Sequence, residues 1–242
     1  MKCIVAIPCY NEEANLSPLV KRIAKTLNQL PYEIIAIDDG STDGTADILR
    51  KLGKDYPVVL LVHKQNKGYS AAVRTGLENA IKRATDESVI VTMDADMTHD
   101  PCYIPSMIKK ISEYDIVIAS RYVPGGKQLS VPNYRVILSK SISLLARIVF
   151  GIPAKDVTSS YRCFKASLLK KMSKKFGENF ISSKGFECAL EILIKAKNCG
   201  ARMIEVPFVL DYSKKQGRSK MKVAQTIVDY IKMMRKIAPK VS

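Results

Sequence analysis

Four short runs of β-branched and apolar residues, each closed on its C-terminal side by a polar cluster, constrain this chain more than any other feature. They occupy residues 3–7, 33–37, 58–62 and 89–93. Runs that do not alternate with polar residues read as strands buried on both faces, the condition inside a parallel sheet. Helical patterns lie between them. Leu16, Leu19, Val20, Ile23 and Leu27 recur at spacings of three and four, and residues 46–51 and 71–83 supply two further helices. The order βαβαβαβ predicts an α/β fold, a doubly wound and mostly parallel sheet with right-handed crossovers. Such sheets bind ligands beyond the C-terminal ends of their strands. Chemistry-bearing residues recur at those ends: Asn11 and Glu12, Asp38 and Asp39, Lys67 and Gly68, Asp94 and Asp96.

The fourth run ends in Asp94-Ala95-Asp96. Side chains two residues apart on an extended chain point the same way, so the two carboxylates share one side. They repel unless a positive charge lies between them, and a hard divalent cation, Mg²⁺ or Mn²⁺, is the usual solution for oxygen ligands. A solvated turn is the alternative, since Asp is common after strands. No Gly-x-Gly-x-x-Gly follows the first strand and no Gly-x-x-x-x-Gly-Lys-Ser/Thr occurs, so two standard nucleotide-binding motifs are excluded.

The 242 residues carry a formal net charge of +16, which points to an anionic partner. Trp is absent, and Tyr and Phe do not interleave with the basic runs as a stacking platform for nucleic acid requires. Phosphate-bearing substrates or an anionic membrane surface are the better fit, and no nucleic acid partner is expected. Six cysteines form no Cys-x-x-Cys pair and read as reduced, mostly buried side chains of a cytoplasmic protein. Met1-Lys2 runs straight into the first strand, which leaves no room for a signal peptide, and no run of 18 apolar residues occurs.

Taken together, Pro8-Cys9-Tyr10-Asn11-Glu12-Glu13, Asp38-Asp39-Gly40-Ser41-Thr42-Asp43-Gly44-Thr45, Asn66-Lys67-Gly68 and Asp94-Ala95-Asp96 resemble glycosyltransferase family 2. That resemblance implies the GT-A fold, Rossmann-like, its mostly parallel sheet flanked by helices, with C-terminal amphipathic helices. Ser120-Arg121-Tyr122, the stretch from Asp156 to Phe164, and Gly217-Arg218-Ser219-Lys220 are similar to the polyprenyl-phosphate hexosyltransferases, of which dolichol-phosphate mannose synthases are the nearest type. The implied division is a catalytic domain over residues 1–212 and a basic loop with an amphipathic helix over residues 213–242. The implied reaction is inverting transfer of a hexose, mannose first, from a nucleoside-diphosphate sugar to dolichyl or polyprenyl phosphate. UDP-glucose as donor, or a non-lipid acceptor, are the alternatives.

By the same resemblance Asp39 recognises the nucleobase, while Pro8, Tyr10, Glu12, Ile37, Lys67, Gly68, Asp94, Ala95 and Lys214 complete the nucleotide-sugar site. Asp94, Asp96 and Thr98 hold the metal. Ser41 or Thr42 is expected to cap the helix after Asp39. His99 is a packing residue or a functional one. On the acceptor side Arg121, Arg135, Ser139 and Arg162 grip the lipid phosphate, and Asp156 acts beside them; a buried ion pair of Asp156 and Arg162 is the alternative. An acceptor phosphate arrives already anionic, so no general base has to remove a proton.

The helix expected over residues 133–150 places Arg135 and Ser139 one turn apart. Val136, Ile137, Leu138, Ile142, Leu144, Leu145, Ile148 and Val149 make it apolar around much of its circumference, with Lys140 and Arg147 among them. It reads as a membrane-surface helix, or else as a buried one. Val223, Ile227, Ile231 and Met234 repeat at helical spacing in the basic C-terminal stretch, suiting either an anionic membrane surface or docking on the sheet. Together these imply a peripheral enzyme on the cytoplasmic face of a membrane, with a membrane-anchoring subunit as a further partner.

Overall fold

The computed structural model describes residues 1–215 and 223–237; Gly217-Arg218-Ser219-Lys220 therefore lies outside the described residues. The strands are β1 (Cys3–Cys9), β2 (Tyr32–Asp38), β3 (Val58–Val62), β4 (Val89–Thr92), β5 (Ile116–Ser120), β6 (Lys127–Leu129), β7 (Arg162–Lys165), β8 (Met203–Pro207) and β9 (Val209–Asp211). The helices are α1 (Glu13–Thr26), α2 (Thr45–Leu52), α3 (Tyr69–Arg83), α4 (Ile104–Lys110), α5 (Asn133–Phe150), α6 (Ala166–Phe176), α7 (Cys188–Lys197) and α8 (Val223–Ile237).

Among the described residues the main sheet has seven strands in the order β3-β2-β1-β4-β7-β5-β8, and β6 pairs with β9 in a small second sheet. All pairings in the main sheet are parallel except those of β7, which runs antiparallel between β4 and β5. The expected α/β sheet is thus present, with one reversed strand inserted. Ile4, Ile35, Ile37 and Ile90 pack on one face under α3 and the later helices, while Val5, Ile34, Ala36 and Val91 pack on the other with residues of α1, α2 and α4. Alternate residues of each strand feed opposite cores, which is why the runs carry no polar face.

From β1 the chain winds outward through β2 and β3, then returns to β4 on the other side of β1. That reversal is the topological switch point where a crevice opens beyond the strand ends. Three loops are knitted there. Asn11, with φ of 52°, donates its backbone N–H to Ser41 Oγ at 2.9 Å and accepts from Thr42 N at 2.8 Å. Ser41 and Thr42 therefore bind the first loop; neither caps α2, which starts after Gly44, whose N–H bonds Glu13 Oε2 at 2.7 Å. Gly40, at φ of +69°, lies so close to the third loop that a Cβ would meet the carbonyl carbon of Gln65 at 2.5 Å.

The helix α5 stops at Gly151 in the left-handed conformation. Ile142, Ser143, Ala146 and Phe150 are buried, whereas Ile137 and Ile148 are 65% and 72% exposed, with Tyr134, Leu144, Leu145 and Val149 also exposed. On α8 the buried side is Thr226, Tyr230, Met233 and Met234. The stripe expected there from Val223 to Met234 is rotated, which leaves Val228 and Ile231 exposed beside it. Five of the six cysteines are buried and Cys102 is exposed; all are free thiols.

Candidate active site

The crevice at the switch point is a cleft of about 430 Å³. Pro8, Tyr10, Glu12, Asp39 and Gly68 line one side, Asp94, Ala95, Asp96 and Thr98 its floor, and Arg121, Arg135 and Ser139 the side opposite.

The floor is shaped by a tight reversal. Met97 adopts φ of 66°, which folds Thr98 back so that its N–H and hydroxyl donate to Asp96 Oδ1 at 3.2 and 2.6 Å. Asp96 Oδ2 accepts from the Lys215 ammonium. Burial lifts the Asp96 carboxyl, but Lys215 and the Thr98 hydrogen bond outweigh it and hold Asp96 below the ordinary carboxylate range. Asp94 Oδ1 accepts from Tyr69 Oη at 2.9 Å and Ser160 Oγ at 3.1 Å. The Asp94 N–H donates to His99 Nδ1 at 3.0 Å, so the ring proton of a neutral His99 sits on Nε2, 3.8 Å from Asp94 Oδ2. His99 stacks on Tyr161 with centroids 4.9 Å apart and lines the cleft beside the carboxylates.

The floor's donor set is oxygen, Asp94 Oδ2, Asp96 Oδ2 and Thr98 Oγ1, and a cationic side chain already rests on Asp96. Both observations fit a hard divalent cation. Among the described residues no three His, Cys, Asp or Glu side chains cluster into a metal cage. Two carboxylates with substrate phosphates completing the shell is the arrangement Mg²⁺ commonly takes.

Just past the end of β2, Asp39 is 3% exposed, and Oδ1 accepts from Lys67 N at 2.9 Å and Oδ2 from Gly68 N at 2.8 Å. Lys67 takes part through its backbone, and its side chain does not line the cleft. Glu12 is the residue before α1, with its N–H on Thr45 Oγ1 and one carboxylate oxygen on Asn15 Nδ2. Ile37 is fully buried in the sheet core, packed under α3, and does not reach the cleft.

Across the cleft, Arg121 donates through Nε and Nη2 to the two oxygens of Asp156 at 2.7 and 2.6 Å, a bidentate fork. Nη2 also reaches Thr158 Oγ1 at 2.7 Å and Ser139 Oγ at 3.1 Å. Burial draws the Asp156 carboxyl up, and Arg121 more than reverses it, leaving Asp156 below the usual range. Asp156 is fully buried beneath Arg121, so it supports the wall without facing the cleft. Arg162 is hydrogen-bonded to neither, although its charge helps hold the Asp156 carboxyl low. It is 1% exposed and donates to the backbone oxygens of Ala189 and Val157 at 2.5 and 2.8 Å, and it does not line the cleft. Arg135 Nη1 donates to Tyr212 Oη at 2.5 Å. Lys214 is 46% exposed, 3.9 Å from Asp100 and outside the cleft; its neighbour Lys215 is the cation that enters it.

Residues 4–173 match glycosyl transferase family 2. The chain belongs to that family. It is 36% identical over 237 residues to a dolichol-phosphate mannosyltransferase of Pyrococcus furiosus, covering 96% of this chain and 62% of that one. The family 2 chain thus spans less than two thirds of the Pyrococcus protein. It is 32% identical over 222 residues to an undecaprenyl-phosphate mannosyltransferase of Micrococcus luteus, covering 91% and 88%. In fold it is similar to glucosyl-3-phosphoglycerate synthase from Mycobacterium tuberculosis, crystallised with Mn²⁺, UDP and glucosyl-3-phosphoglycerate, at a TM-score of 0.66 and 18% identity over 100% of this chain and 81% of that one.

Three residues at or behind the cleft of this family 2 chain carry no motif of their own. Lys215 sits one position past Lys214, the residue that the resemblance implies, because a 3-10 turn at Tyr212–Lys214 sets the phase of the segment. Tyr69 reaches Asp94 from the first turn of α3. His63 lies behind Asp39, and the signal for it was present: β2 and β3 are neighbours in register, so the residues just past their ends meet.

Proposed function

We propose that this glycosyltransferase moves a hexose from a nucleoside-diphosphate sugar to a polyprenyl phosphate by a single inverting displacement. The observation that carries the reading is one cleft with two chemically opposite walls, carboxylates at Asp94 and Asp96 on the floor and fixed cations at Arg121 and Arg135 opposite. Relatives at 32–36% identity named for dolichol-phosphate and undecaprenyl-phosphate mannosyl transfer support the substrate class. Mannose is the favoured sugar.

Asp39 accepts an N–H of the base, and Pro8, Tyr10 and Glu12 flank base and ribose. Asp94, Asp96 and Thr98 would hold Mg²⁺ or Mn²⁺, which when bound neutralises the leaving diphosphate. The fold neighbour has been crystallised with either ion. Lys215, rather than Lys214, supplies the mobile cation over the diphosphate. On the acceptor side Arg121 is aimed by Asp156 and Ser139, and Arg135 extends the positive wall by one helical turn. These groups pay in advance for bringing two anions together, and the phosphate oxygen attacks without a general base.

The same helix that carries Arg135 and Ser139 inward turns Ile137, Leu144 and Ile148 outward, with Lys140 and Arg147 beside them. That arrangement suits an anionic membrane surface, from which a lipid phosphate enters the cleft. No helix among the described residues is long and apolar enough to cross a membrane. A membrane-anchoring partner is compatible with this face.

Calorimetric titration with GDP-mannose and UDP-glucose, each with and without Mn²⁺, followed by a short polyprenyl phosphate, tests the reading. Metal-dependent binding of one donor and appearance of glycolipid are expected. If neither donor binds with metal present, or if Asp96→Asn binds as the parent does, the assignment of the floor is wrong.

A further inference from the structure

His63 is a buried titratable group that the reaction does not use directly. The strands β2 and β3 run parallel with Asp38 opposite Val62, and His63 N donates to Asp38 O at 2.9 Å. One residue further, Asp39 and His63 leave the sheet side by side. His63 Nδ1 lies 2.6 Å from Asp39 Oδ1, and its Nε2 lies 3.0 Å from Thr75 Oγ1 on α3. The imidazole is 9% exposed and the carboxylate 3%.

This geometry fixes the proton positions. An ionised carboxylate only accepts, so Nδ1 must carry the hydrogen, and in the neutral ring Nε2 accepts from the Thr75 hydroxyl. A carboxylate offers about four acceptor positions, two on each oxygen. Oδ1 uses both, on His63 and Lys67 N, while Oδ2 uses one, on Gly68 N. One position on Oδ2 remains, and Asp39 lines the cleft. Backbone donors alone leave the carboxylate free to turn with its loop; the ring, braced by α3, ties it to the sheet.

We propose that His63 is a positioning residue of the donor site. It holds Asp39 at one rotamer through Oδ1, so that the remaining acceptor position of Oδ2 meets the ring N–H of a guanine or uracil base. This rests on the reading of Asp39 as the base acceptor. His63 touches no substrate; it acts through Asp39.

The test compares His63→Leu, which removes the donor, with His63→Asn, whose amide restores an N–H near the Nδ1 position. Calorimetry with Mn²⁺ present measures GDP, UDP and inorganic diphosphate, the last having no base. For the better nucleotide, His63→Leu weakens binding about tenfold or more, the worth of a hydrogen bond to a charged group. His63→Asn recovers most of that loss, and inorganic diphosphate binds all three proteins alike. If His63→Leu does not fold, Thr75→Val loosens the ring instead, and a loss of about threefold confined to the nucleotide is expected, on the scale of a neutral hydrogen bond. The proposal is overturned if nucleotide affinity is unchanged, if Asn fails to recover it, or if diphosphate binding falls equally, which marks collapse of the loop. Asp39→Asn separates the two readings: if it weakens nucleotide binding and His63→Leu does not, only the role of His63 fails, and if it has no effect the base-acceptor reading fails as well.

Discussion

Replacing Asp156 with Asn isolates the ion pair that holds the acceptor wall. The side chain is fully buried and accepts from Arg121 Nε, Nη2 and backbone N at 2.7, 2.6 and 3.0 Å. Removing one member of a buried pair costs about 3–5 kcal/mol, because the other charge stays behind without its counter-ion. Asn keeps one acceptor oxygen for Arg121, which places the expected loss near the lower end, about 3 kcal/mol. In a chain of this size that lowers the thermal midpoint by about 6–12 °C. The pH dependence has a definite sign. Burial favours the protonated acid, yet the Arg121 guanidinium leaves Asp156 below the usual carboxylate value, so its contribution is fully present above that value and is lost as pH falls through the depressed one. Urea unfolding at pH 7, 5 and 3 should therefore show the parent losing more stability on acidification than Asp156→Asn. A loss under about 1 kcal/mol at pH 7, the range of a solvated pair, would refute the argument, as would parallel pH curves.

Three further substitutions probe the cleft and the helix beside it. Gly40→Ala forces a side chain onto the Gln65 backbone at positive φ, so it should cost about 2 kcal/mol or more in urea unfolding and weaken nucleotide binding by displacing the Asn66 loop. Lys215→Met should raise the KM for donor about tenfold, whereas Lys214→Met, removing an exposed and distant ion pair, should change it by less than about twofold. The pair Ile137→Glu and Ile148→Glu, on residues 65% and 72% exposed, should cut sedimentation with anionic vesicles about tenfold or more while leaving the melting temperature in place; unchanged vesicle binding would remove α5 as the membrane face.

What could be read in advance follows from which interactions are local. The run at residues 58–62 became β3 at Val58–Val62, and the helix expected over residues 133–150 became α5 at Asn133–Phe150, because hydrophobic pattern and turn chemistry mark both ends of these elements. The reversed strand β7 was hidden. It is four residues long, begins with a buried Arg162, and owes its place to pairing with β4 and β5, whose partners stand 76 and 48 positions earlier in the pairs Val89↔Lys165 and Ile116↔Phe164. The resemblance implies Arg162 as a phosphate ligand; its actual partners are backbone oxygens, which leave no trace in a side-chain pattern. Lys214 and Lys215 differ only by the phase of one turn, the 3-10 turn at Tyr212–Lys214 that Asp211 caps through the Ser213 N–H.

The cations of the cleft differ in how they are held, and this difference organises the site. Arg121 is clamped from beneath by a fully buried carboxylate, so its direction is set before any ligand arrives. Lys215 is held from within the cleft by Asp96, a carboxylate of the floor itself. An anion entering over Asp96 must draw Lys215 away from that partner, whereas an anion meeting Arg121 leaves its ion pair with buried Asp156 in place and competes only with the hydroxyls of Ser139 and Thr158. The wall at Arg121 is therefore fixed and the floor at Asp96 exchangeable. A net charge of +16 would attract anions of any kind, but a cation whose partner lies behind it, as Asp156 lies behind Arg121, can meet an anion without giving up its own counter-ion.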